Sequence, residues 1–156
     1  MEMKLFKASP LILEKINVLC RLLWQGKRSY ESVADNISGK EFRCAILALA
    51  QTNNQYAREL SSRIETLGGD PCTENMYDTD LKTDPKIFMN ENEVLSFCKL
   101  NETKMVGAYR EILNESFLYE GLRTMIRYQL NGTLCAYAQI KLLKSFSKIP
   151  GEQFIL

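Results

Sequence analysis

Four stretches of this chain repeat apolar residues every three or four positions, and the breaks between them are very unequal in length. That spacing lines one face of a helix with apolar side chains. The first stretch carries Ile12, Ile16, Leu19, Leu23, Tyr30, Val33 and Ile37; the second carries Phe42, Ala45, Ile46, Leu49, Tyr56, Leu60, Ile64 and Leu67. The third runs through Val94, Leu95, Cys98, Met105, Tyr109 and Ile112. The fourth runs through Leu118, Leu122, Met125, Ile126, Gln129, Thr133, Ala136, Tyr137, Ile140 and Leu143. Only a few residues separate the first stretch from the second and the third from the fourth, which demands two antiparallel hairpins. Residues of about 69–89, between the second and third, show no sustained period. A helix of about 28 residues is ~42 Å long, whereas ~20 extended residues reach roughly 66 Å. This segment can therefore cross the full length of a bundle. The expected fold is all-α: four helices in two antiparallel hairpins, joined by a long crossover between helices 2 and 3.

Local signals place the helix ends. Ser9-Pro10 reads as an N-cap followed by proline at the first helical position. Ser38-Gly39-Lys40-Glu41 matches the S-x-x-E capping box, and Asn90 with Glu93 repeats the same logic. Gly68-Gly69-Asp70-Pro71 should stop helix 2, since glycine accepts the left-handed cap and proline cannot continue a helix.

A chain of 156 residues fits one domain spanning 1–156, with its core at about 10–147. The net charge of +1 exerts no global pull on nucleic acid or acidic surfaces. Runs such as Ala45–Ala50 are too short to span a bilayer, and the N-terminus lacks a secretory apolar stretch, so a cytoplasmic location without membrane contact is expected. The five cysteines are odd in number and scattered, which favours core-filling or half-buried thiols over a disulfide framework or a zinc site. The chain contains no histidine, which removes Ser-His and Cys-His hydrolase arrangements. The acidic residues of the crossover lack the EF-hand spacing and read as a solvated loop.

Three segments carry a family resemblance. They are Tyr56-Ala57-Arg58-Glu59-Leu60 through Leu67-Gly68-Gly69-Asp70-Pro71, then Asn101-Glu102 to Ala108-Tyr109-Arg110-Glu111, and Gln129-Leu130 to Ala136-Tyr137. In that order they resemble an uncharacterised bacterial family of ferritin-like four-helix bundles, over about Leu11 to Leu143. The resemblance implies the ferritin-like fold and brings no established reaction with it. Di-iron members of the wider superfamily place carboxylates and two Glu-x-x-His pairs inside the bundle. Carried over by position, the helix 2 pair falls on Asn53 and Tyr56, the helix 4 histidine on Tyr137, and helix 3 keeps Glu102. Helix 1 offers Gln25 and Lys27 at the comparable level. Amides and phenols are poor iron or manganese ligands, and one carboxylate cannot hold two metal ions.

The expectation is an inner polar site of Lys27, Asn53, Tyr56, Glu102, Gln129 and Tyr137, with no catalytic residue, metal or cofactor. Glu102 either pairs inside with Lys27 or a phenol, or sits at the edge of its apolar stripe and reaches solvent. Trp24 and Phe6 are the candidates for a partner surface, with homodimerisation along helix 1 as one outcome. Two functions follow. One is a non-catalytic bundle acting by self-association or by binding another protein, with stress physiology as the setting its relatives suggest. The alternative is a ligand- or metal-binding bundle with unusual inner groups, a degenerate di-iron oxidase.

Overall fold

Helix α1 (Pro10–Ala34) starts where the Ser9 side chain accepts a hydrogen bond from the Ile12 amide, with proline at the first turn as the sequence predicts. A computed structural model describes residues 9–74 and 90–147. Over these it is all-helical, adding α2 (Lys40–Thr66), α3 (Glu91–Leu113) and α4 (Glu120–Ser147). The expected capping box of α3 is present in full: Asn90 accepts from the Glu93 amide, and Glu93 accepts from the Asn90 amide. At the end of α2, Gly68 takes φ 89°. Its amide donates to the Glu65 carbonyl, and the Gly69 amide donates to the Ile64 carbonyl. This is the Schellman arrangement, in which glycine accepts the left-handed turn without a Cβ penalty.

One predicted cap is not formed. The N-cap of α2 is Gly39 rather than Ser38, and no side chain bonds the first turn. The first helical bond runs from the Arg43 amide to the Gly39 carbonyl, which places Glu41 at the second helical position. From there it is out of register to reach back to the cap.

Helix α1 packs on α2 and α3, and α4 packs on the same two helices. Every neighbouring pair runs antiparallel. On α1 and α2, Cys20 meets Ala57 and Ser61 while Asn53 meets Leu23. Lys15 of α1 meets Glu115, just past α3, while Tyr30 meets Phe97 on α3 itself. On α3 and α4, Tyr109 meets Gln129 and Glu102 meets Lys141. On α2 and α4, Arg63 meets Tyr119 and Glu59 meets Gln129. Helices α2 and α3 therefore point the same way across a diagonal of the bundle. Most of the connection between them, residues 75–89, lies outside the described residues, as do Phe6 and the tail from 148 onward.

The core divides into two apolar clusters. One gathers Ile16, Leu19, Leu23, Leu60, Ile64, Ile112, Leu122 and Ile126. The other gathers Tyr30, Val33, Ile46, Val94, Cys98, Tyr137 and Ile140. Trp24 is only 4% exposed and belongs to the first cluster. The sequence reading that offered it as a partner surface is thus corrected: its indole N–H donates to the Cys72 carbonyl, and its ring lies under the Arg58 guanidinium. Cys20, Cys72 and Cys98 are buried as expected, but Cys44 and Cys135 are exposed on the outer sides of their helices.

Candidate functional site

Three buried polar residues, Asn53, Gln129 and Thr133, fall at the level where the two apolar clusters meet. Gln129 organises this layer. Its carbonyl oxygen accepts from the Tyr109 hydroxyl at 3.0 Å, and its amide nitrogen donates to the Tyr56 backbone carbonyl at 3.3 Å and to Glu59 Oε1 at 3.0 Å. A side-chain amide has two donor hydrogens and one carbonyl acceptor, and here both ends are engaged. Asn53 donates to the Leu23 carbonyl at 3.4 Å, so the α2 residue at the first ligand position bonds the α1 backbone.

The two tyrosines at the other ligand positions point to different places. Tyr137 hydrogen-bonds Tyr30 across the bundle, hydroxyl to hydroxyl. Tyr56 instead runs along α4: a Cβ added at Gly132 would overlap its hydroxyl, and its ring packs edge-on to Tyr128 with centroids 6.1 Å apart. Only the absence of a side chain at Gly132 gives Tyr56 room. Gly26 plays the same part for Asn53, whose amide nitrogen occupies the space a Cβ there would take.

Burial sets the ionisation of this layer. It pushes the Tyr30, Tyr109 and Tyr137 phenols well above the ordinary range. For Tyr30 the neighbouring Tyr137 adds to the rise, whereas a hydrogen bond with Thr133 opposes it at Tyr109. Tyr56 is raised by burial and by Tyr128 and Glu59 nearby. The phenols of the layer are thus neutral hydrogen-bonding groups at physiological pH, and the nearby Glu59 carboxylate further disfavours ionisation of Tyr56 and Tyr109.

The remaining two residues of the expected inner site lie elsewhere. Lys27 is on the flank of α1, paired with Glu31 at 3.3 Å and with Glu74 beyond α2. Burial would lower its pKa, but the Glu74 and Glu31 carboxylates outweigh this and raise it. Glu102 pairs with the exposed Lys141 at 3.1 Å. The anticipated Lys27–Glu102 pair is not formed; Glu102, its side chain 15% exposed, pairs instead with Lys141. Among the described residues no three His, Cys, Asp or Glu side chains converge as metal ligands would. The layer is a set of packed hydrogen bonds spanning all four helices.

Sequence reasoning missed Glu59, which bonds Gln129, and Ser61, which sits against the Cys20 thiol at 3.3 Å and donates to the Cys72 carbonyl at 3.2 Å. No periodicity singles them out, because both are half-buried. A lone glycine inside a helical pattern is a weak signal of close packing: it holds at Gly26 and Gly132 but not at Gly107, where a Cβ would meet open space. Residues 69–74, which these contacts hold against α1, run between two open grooves of about 530 and 500 Å³. The first mixes Arg58, Glu65 and Glu74 with Trp24, and no single ligand charge fits it. No family model matches the chain, and no curated protein does.

Proposed function

We propose that this chain is a ferritin-like bundle whose inner ligand positions serve packing, and that it acts by self-association or by binding another protein. The observation that carries the reading is Gln129. An amide sits in the layer where a metal site would be built, and its donors and acceptor are already committed to Tyr109, Tyr56 and Glu59. Opening that layer for a metal or ligand would leave buried polar groups unpartnered, at about 1–3 kcal/mol each. The parallel diagonal pair α2 and α3 supports the topology, since a chain leaving the end of α2 has to return along the bundle to begin α3. Such a return is what the crossover of a ferritin-like bundle makes, unlike the short connections of an up-down-up-down bundle. The setting we assign, stress physiology, rests on the family resemblance alone.

Elemental analysis of the purified protein, together with its mass in solution, tests this. Protein with no stoichiometric metal and a mass above that of one chain supports the reading. Stoichiometric iron, manganese or zinc that is lost in Glu102→Gln overturns it in favour of a degenerate oxidase.

A further inference from the structure

The charges of this molecule are distributed unevenly between its sides. Helix α2 carries no Asp, Glu, Lys or Arg over the 14 residues from Cys44 to Ala57, nor does α4 over the 13 from Tyr128 to Ile140. In α1 and α3 no charge-free run exceeds five residues. Burial does not explain the difference. Within the two runs Cys44, Leu47, Ala48, Gln51, Gln55 and Tyr128 are among the exposed positions. Tyr128 and Leu142 are 60% and 57% exposed. Because α2 and α4 are antiparallel neighbours, the two runs lie side by side and make one uncharged face.

Three of the charges flanking the face are turned off it, while Glu59, bonded to Gln129 and Gln55, and the exposed Arg127 border one end of it. Arg43 reaches back to the Ile37 carbonyl at 2.8 Å, Arg58 lies over Trp24 toward α1, and Lys141 is drawn toward α3 by Glu102. A solvated helix surface has no need of such an arrangement. A protein interface does, since its centre is depleted of charge while its rim stays polar.

The occupant follows from symmetry. In a two-fold dimer each residue near the axis meets its own copy, so charges there repel. Side-chain amides carry donor and acceptor together and pair with themselves. The face offers amides at Gln51, Gln55 and Gln139. It also holds a projection and a recess of matching kind. Leu142 stands exposed, three residues from Gln139, and a groove of about 80 Å³ runs between α2 and α4 with Ala48, Thr52, Ala136 and Gln139 on its walls. Knob and recess on one surface are what an isologous contact requires. Two helices about 20 Å long and ~10 Å wide give a footprint of roughly 400 Å² in projection. With side-chain relief this buries on the order of 600 Å² per copy, the lower edge of standard interfaces.

We infer that the α2–α4 face is a homodimer interface, closed by a two-fold that seats Leu142 of each copy in the groove of the other. The inference rests on the self-association reading above and names its surface. Light scattering over a concentration series tests it with wild type, Leu142→Lys and Gln51→Lys, each first checked for unchanged helicity and melting. Labelling of Cys44 and Cys135 with a bulky maleimide gives a second readout. The expected result is a wild-type dimer with both thiols protected, and a dissociation constant raised about 100-fold or more in each variant, with both thiols then labelled. A wild-type dimer that the variants leave intact, with Cys44 and Cys135 labelling freely, overturns this face while self-association stands. A wild type that is monomeric throughout overturns self-association itself.

Discussion

At the scale of single residues, the molecule turns on a phenol that lies against a glycine. The Tyr56 hydroxyl occupies the space a side chain at Gly132 would need. Gly132→Ala should therefore cost stability despite alanine's better helix propensity, by about 1–3 kcal/mol as overpacking does. Tyr56→Phe removes the overlapping oxygen, so the double variant should recover part of that loss in urea unfolding. Additive losses would show that the crowding lies elsewhere. The neutral buried groups set a second expectation. Burial pushes the Cys98 thiol up to about 12 from an ordinary 9.0, and the Tyr30 and Tyr137 phenols above their ordinary 10.0. On raising the pH the unfolded chain loses these protons first and the folded chain keeps them. Stability should hold to about pH 9, then fall, more steeply past 10, at up to ~1.4 kcal/mol per pH unit for each such group. Unfolding midpoints unchanged through pH 11 would show that these groups ionise freely in the native state.

Helices as elements were legible wherever a local rule decides the outcome. Ser9-Pro10, the Asn90–Glu93 box and the Gly68 stop involve neighbours within a few residues, and all three form as read. The α2 start was misread by one position because Ser38 and Gly39 are both acceptable caps. Ser38→Ala should accordingly leave stability within about 0.5 kcal/mol, whereas Asn90→Ala should cost ~1 kcal/mol. Gly39→Ser should gain a few tenths of a kcal/mol, about 0.3, in thermal or urea unfolding, because it supplies the missing cap and meets only ordinary contacts. The candidate site was legible in membership only in part. Burial of Tyr56, Gln129 and Tyr137 follows from their place on apolar stripes, and that of Asn53 from the position carried over by the resemblance, but their partners depend on helix level and side-chain direction across the bundle. Lys27 and Glu102 sit at stripe edges, where a fraction of a turn decides between core and solvent.

For the whole molecule, the order of packing has a mechanical consequence. Helix α4 is antiparallel to α2, which is antiparallel to α1, so α1 and α4 run in the same sense. Ser9, at the start of α1, and Ser147, at the end of α4, consequently stand at opposite poles. Two hairpins in plain succession would bring both ends to one pole, and a pull on them would peel the helices apart one contact at a time. Here a pull on the same two points acts along the axes and drives α1 lengthwise past α2 and α3. Rupture then has to shear the buried faces and the polar layer together. Traction on its ends therefore meets this bundle in its stiff direction.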